Sequence, residues 1–177
     1  MSHGHDDRVC SYGNLAAILA AAPGEKTQVA LFADKEEIGS VGNTGVHSSY
    51  FLDFAAELLA LQGQTEELYL RRMLRNSEVL SADVCAALDP VFASAYEENN
   101  AAKLGYGICL CKYTGARGKS GSNDANAEFL AKVRQIFNGN NVPWQIGELG
   151  KVDQGGGGTI AYIMADWVCY VIDCGVA

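Results

Sequence analysis

The chain has 177 residues, 49% of them hydrophobic and only three of them proline, which is enough to bury the core of one α/β domain. A formal net charge of −8, with lysines and arginines scattered rather than striped, excludes a nucleic-acid footprint. No apolar run approaches the roughly 18 residues that cross a bilayer, and no basic-then-apolar leader opens the chain, so the expectation is a cytoplasmic protein with no membrane partner.

In chain order, residues 9–22 are rich in Ala and Leu and predict a helix that stops at Pro23-Gly24. Val29, Ala30, Leu31, Phe32 and Ala33 form an apolar run between that break and a group of charges, and predict a central parallel strand over 27–33. In open α/β sheets the ligand crevice lies beyond the carboxyl ends of the strands, which puts Asp34, Lys35, Glu36 and Glu37 where a site is expected. On extended backbone the two glutamates point to opposite sides, so one can hold a cation while the other reaches a water bound to it. A Glu-Glu pair alone is usually two solvated charges. The strand before this one and the glycines at 39, 42 and 45 after it set it apart.

Phe51, Phe54, Leu58 and Leu61 within 45–61 predict a covering helix, and 66–74 predicts a second. Residues 78–85 read as a short strand ending at Asp83, and Asp89-Pro90 opens a long loop. Residues 106–113 alternate as a strand, and the polar run 114–124 reads as a loop whose Ser122, Asn123 or Asp124 caps a helix over 125–137. A strand at 143–146, a helix at 159–165 behind the glycines 155–158, and a last strand at 167–172 closed by Asp173-Cys174-Gly175 complete the pattern. Alternating strands and helices predict a mostly parallel, doubly wound α/β sheet in a single domain over 1–177.

The six cysteines, at 10, 85, 109, 111, 169 and 174, contain no Cys-x-x-Cys pair, a spacing that does not make a structural zinc site. Cys109 and Cys111 share one face of a predicted strand, and the reading is buried free thiols in a reducing compartment. Three acidic groups fall at or beside element ends: Asp6-Asp7 before the first helix, Glu36-Glu37 after the first strand and Asp83 at the end of the next. Converged in one crevice, such carboxylates can flank two divalent ions with one free Glu as general base. Their plainer roles are a helix N-terminal cap for Asp6-Asp7 and a strand-end turn for Asp83.

The blocks HDDRVCSY, LFADKEEIGSVGNTG, SADVCAALDP and VDQGGGGTIAYIM, in this order and over nearly the whole chain, resemble the catalytic domain of the aspartyl aminopeptidase family, metallopeptidase family eighteen, in its bacterial branch. The resemblance implies a three-layer sheet of the zinc-exopeptidase type, here incomplete, as the later part of a catalytic domain. It implies that Asp6 bridges two Zn2+ ions, or another divalent metal, that Glu37 and Asp83 each bind one of them, and that Glu36 is the general base. Gly156, Gly157, Gly158 and Thr159 would lie beside the pocket and donate backbone N–H groups to a peptide substrate. The implied reaction is hydrolysis of the N-terminal residue of a peptide by a zinc-activated water, in an enzyme that is a homo-oligomer when complete.

Two histidine ligands of that family are not matched, because His3 and His5 stand beside Asp6 rather than far upstream of it, and His47 matches no ligand position and reads as a helix-surface or supporting residue. The chain is therefore read as a truncated form of such an enzyme, with two readings beside it. One is a non-catalytic fragment or assembly module, whose stability would not respond to zinc. The other is a phosphate- or nucleotide-binding domain, suggested by the glycines, although G-x-x-G-x-x-G is not the dinucleotide spacing and no Gly-Lys-Ser/Thr follows. Lys112, Arg117, Lys119 and Lys151 are candidates for a cationic side-chain pocket, against the commoner fate of a solvated surface.

Overall fold

Residues that alternate between two apolar environments on one strand decide the architecture, and the computed structural model, which describes residues 3–117 and 119–177, shows this on its last strand. Strand β6 (Tyr170–Val176) lies inside a four-stranded sheet of order β1-β6-β2-β5, with β1 (Glu78–Ser81), β2 (Ile108–Cys111) and β5 (Trp144–Ile146). The β1–β6 and β2–β5 pairings are parallel and β2–β6 is antiparallel, so the sheet is mostly parallel as expected. Successive side chains on a strand face opposite ways. Val171 packs with Val46, Leu74, Ile163 and Met164 on one face, while Ile172 packs with Leu110, Phe129 and Val133 on the other.

The layers come from the amphipathic helices α2 (Tyr50–Leu61), α3 (Glu67–Arg75) and α5 (Ala161–Asp166) toward the first face and α4 (Ala127–Gly139) toward the second. Helices α3, α4 and α5 were expected within about two residues at each end, the usual uncertainty of helix boundaries, whereas α2 starts five residues later than the expected 45. Helix α1 (His5–Ala20) opens the chain, but Asp6 and Asp7 at its start are not helical and the peptide between them is cis. No side chain caps this helix, and only Cys10 within it is buried.

The expected central strand at 27–33 is not formed. The segment has no regular secondary structure and pairs with no strand among the described residues, and Val29 and Phe32 are 54% and 52% exposed. An apolar run supplies the side chains of a buried strand, but a strand also needs a ladder partner and a covering layer. The segment is tied to the sheet only lightly, by Lys26 with Glu78 at 3.6 Å and by Ala33 against the core.

A 3-10 turn (Glu36–Ile38) follows, entered through Lys35 and left through Gly39, both left-handed. A Cβ at Gly45 would stand 2.1 Å from the Ser40 carbonyl oxygen, so this glycine serves a close backbone approach. That gives the glycines of this block a purpose without a phosphate.

The polar run 114–124, expected as a loop, contains two antiparallel paired strands, β3 (Tyr113–Ala116) and β4 (Ser120–Asp124); position 118 lies outside the described residues. Glycine and small polar residues hid its alternation. At Gly115 a Cβ would meet Ser122 Oγ at 2.3 Å, a cross-strand contact that only glycine permits. The expected caps are used elsewhere: Asn123 donates to the Val171 carbonyl at 3.3 Å, Asp124 pairs with Lys112, and Asn126 occupies the N-cap position of α4.

Candidate metal centre

Strand β1 stops at Ser81, which leaves Asp83 just past its carboxyl end. Gly175 on β6 holds that segment close, for a Cβ there would lie 1.6 Å from the Asp83 carbonyl oxygen. The Cys85 N–H donates to the Val176 carbonyl at 2.7 Å and fixes the chain on the other side of Asp83. The non-helical start of α1 brings Asp6 and Asp7 to the same place. One carboxylate oxygen from each of Asp6, Asp7 and Asp83 lies within 4.8 Å of the others.

The electrostatics follow from that crowding. Burial, then the Glu36 charge, lifts Asp83 to about 7, with Asp6 and Asp7 adding to the rise and the Val84 N–H bond at 2.8 Å opposing it. Burial also raises Glu36, helped by Glu37, Asp6 and Asp7. Asp7 is raised chiefly by burial, and its Oδ1 is buried with no hydrogen-bond partner. Among the described residues no lysine, arginine or histidine forms an ion pair with any of these four carboxylates. Like charges held this close favour protonation or a cation. A set of oxygen donors with one orphaned buried oxygen fits a divalent ion.

Glu36 and Glu37 lie on the 3-10 turn rather than on extended backbone, and at three residues per turn they diverge by about 120°. Glu36 is half-buried toward the aspartates, while Glu37 is exposed and outside the three-carboxylate group. The group assembled here thus holds Asp7 where the resemblance implies Glu37. Histidine is absent from it among the described residues; His5 is exposed, and His47 Nε2 lies 3.0 Å from Tyr162 Oη with the two rings edge-on.

The glycine turn stands beside this centre. Gly155 and Gly157 give their carbonyls to the Arg117 and Gly115 N–H groups at 3.1 Å, whereas the N–H groups of Gly156, Gly157 and Gly158 have no backbone partner among the described residues. Thr159 donates from Oγ1 to Asp173 Oδ1 at 2.6 Å and accepts from the Ala161 N–H at 3.1 Å, which ties the end of the turn to β6. Asp83, Thr159 and Asp173 line one crevice. Lys151 lines the adjoining groove with Gly155 and Gly156, and of the four cations noted in the sequence it and Arg117 lie beside the turn.

Asp173 is the residue that sequence reasoning missed. It is buried, burial pushes it up to about 6 against the Thr159 bond, and its Oδ2 is unpaired beside Ser81 and Thr114 hydroxyls that also lack partners. The signal was present, since an acid near the carboxyl end of a strand is what marked Asp83.

The chain is similar to known proteins over its whole length. A family model described as aminopeptidase I zinc metalloprotease (M18) matches residues 1–177. A probable M18 family aminopeptidase 1 from Clostridium acetobutylicum is 52% identical over 177 residues, covering 100% of this chain and 38% of its own length. The crystal structure of an M18 aminopeptidase from Thermotoga maritima superposes with a TM-score of 0.90 at 50% identity, over 97% of this chain and 38% of that one. A dodecamer from S. cerevisiae, 22% identical with a TM-score of 0.64 over 97% of this chain and 37% of that one, shares the fold. The chain therefore spans about two fifths of the length of the relatives it matches.

Proposed function

The chain belongs to the M18 family of aminopeptidase I zinc metalloproteases, and from that premise we propose that residues 1–177 form one domain, the later part of a metallo-aminopeptidase catalytic domain that removes the N-terminal residue of a peptide. The observation that carries the proposal is the convergence of the Asp6, Asp7 and Asp83 carboxylates within 4.8 Å, with Glu36 close enough to shift Asp83.

Asp6 and Asp83, with Asp7 or Glu37, would hold the zinc. A bound zinc polarises a carbonyl and acidifies a water at neutral pH. Glu36 does the proton work. Its carboxyl, raised by burial and by three neighbouring acids, is basic enough to accept a proton and acidic enough to return it to a leaving amine. Glu37 and the aspartates keep it raised until a cation neutralises them. The N–H groups of Gly156, Gly157 and Gly158, without a backbone partner among the described residues, are donors suited to a substrate carbonyl, and Thr159, anchored to Asp173, fixes the turn that carries them. Lys151, beside the turn, is a cation placed to meet an acidic side chain of the substrate.

The complete enzyme is proposed as a cytoplasmic homo-oligomer, with exposed apolar residues such as Leu19, Val29 and Phe32 available for burial in it. No helix among the described residues is long and apolar enough to cross a membrane. The same exposed residues favour a second reading, in which this chain alone is a non-catalytic assembly module. Calorimetric titration with Zn2+ separates the two. Binding that Asp6→Asn and Asp83→Asn each abolish supports the metal centre, and no binding with unchanged thermal stability supports the module.

A further inference from the structure

The thiols of Cys85, Cys109 and Cys111 have a geometry that packing alone does not explain. Cys109 and Cys111 point to one face of β2, and Cys85 follows the end of β1; the three are 5%, 0% and 2% exposed. Their sulfurs come together across that gap, with Cys85 Sγ 3.5 Å and Cys109 Sγ 3.7 Å from Cys111 Sγ, and all three within 4.8 Å of one another. A buried free cysteine ordinarily behaves as a small hydrophobe. That account suits Cys10 and Cys169, which are buried free thiols outside any such group.

The backbone makes room for this sulfur triangle. A Cβ at Gly147 would stand 2.6 Å from Cys109 Sγ, and Cys109 lies opposite Gly175 in the β2–β6 register, where no side chain intrudes. Cys85 is pinned by its N–H bond to Val176. The triangle is thus built by two positions of β2 and by the backbone-pinned Cys85 just past β1.

Size decides what it can hold. With metal–sulfur bonds of about 2.3 Å, tetrahedral coordination sets sulfurs about 3.8 Å apart. The observed 3.5 and 3.7 Å match that spacing, whereas a disulfide needs about 2.05 Å. Soft thiolates select Cu(I), Zn2+ and similar ions over the hard cations that suit carboxylates.

We propose that Cys85, Cys109 and Cys111 form a three-thiolate site for one thiophilic d10 metal ion, separate from the carboxylate centre. Three protonated thiols bind such a divalent ion with release of three protons, leaving a complex of charge −1. The three thiols line one crevice together with Asp83, Thr159 and Asp173. The site does not depend on the aminopeptidase reading.

The probe is Cd2+, whose thiolate complexes show an ultraviolet charge-transfer band. The reduced 177-residue chain is titrated with Cd2+ in the presence of excess Mn2+, which occupies oxygen donors, and its thiols are then alkylated and counted by mass. The expected result is one Cd2+ per chain with the band of three thiolates, and slower alkylation of Cys85, Cys109 and Cys111 in the folded chain with the ion than without it, while the rates at Cys10, Cys169 and Cys174 do not change. Cys111→Ser should lose both the band and the protection, and Asp6→Asn with Asp83→Asn should keep them. Absence of the band in the unaltered chain, or a band that survives Cys111→Ser, overturns the proposal. The count on the unaltered chain needs no variant, so a variant that fails to fold leaves the test decisive.

Discussion

The carboxylates of Asp6, Asp7 and Asp83 and the thiols of Cys85, Cys109 and Cys111 meet at the same end of the sheet, only two residues apart at Asp83 and Cys85, yet one group is held from the surface and the other from the core. The carboxylates come from a non-helical helix start and a strand end, are partly exposed, and raise one another's proton affinity. The thiols come from β2 and from the chain just past β1, are buried, and can hydrogen-bond to one another in neutral form. The first group is therefore incomplete without a cation. The second is stable without one, and its capacity for an ion comes from spacing.

The largest effect that would sharpen this contrast lies on the carboxylate side. In the complete enzyme Glu36→Gln should lower peptide hydrolysis by about 10²–10⁴-fold while metal content stays the same; an unchanged rate would remove Glu36 from its role. On the thiol side the comparable blow is to the core. Leu110 lies between Cys109 and Cys111 and is fully buried, so Leu110→Ala should cost about 2–5 kcal/mol in denaturant unfolding. A cost below about 1 kcal/mol would mean that β2 is not the rigid frame argued here.

Between the two groups stands the Thr159–Asp173 pair. Thr159→Val removes the donor at 2.6 Å from a buried carboxylate and should cost about 1–3 kcal/mol, read from the unfolding midpoint.

The contrast also has a pH signature. Asp83 titrates near 7 in the fold against 3.8 as its ordinary value, so the folded state keeps a proton that the unfolded chain gives up. The stabilisation is fully present below about pH 4 and is lost as pH rises through 7. Glu36 and Asp7, also raised, act in the same direction. Metal-free thermal stability should thus fall between pH 5 and 8, and Asp83→Asn should flatten that fall. Zinc should reverse it, because binding needs the ionised carboxylates. The smallest expected change is a control distant from both groups: the exposed Arg71–Glu67 pair on α3 should contribute only about 0.3–0.5 kcal/mol, so Arg71→Ala should leave the midpoint nearly where it was.

Much of this was legible residue by residue. The apolar residues Phe51, Phe54, Leu58 and Leu61 marked the helix α2 but not its buried side, because Phe54, Leu58 and Leu61 are exposed while Phe51, Leu52 and Ala55 face the core; Pro143 to Ile146 marked β5. The Glu-Glu step and Asp83 stood out because acids at element ends are where open sheets place ligands. Residues 27–33 misled because burial pattern is a property of side chains, while a strand is a property of two backbones. The strand pair at 113–124 was missed for the converse reason: its backbone pairs although glycine and small polar side chains carry little pattern.

The sequence by itself determined the family, the class of fold and the acids that can carry the chemistry, since these reside in local periodicity and in short blocks of fixed order. Only the tertiary structure decided that the Asp6, Asp7 and Asp83 carboxylates converge, that Asp173 braces the glycine turn through Thr159, and that three cysteines spread over 27 positions bring their sulfurs within 4.8 Å. Those are distances between residues far apart in the chain. They are set by β6 lying between β1 and β2, with Gly175 allowing the Asp83 segment to come close.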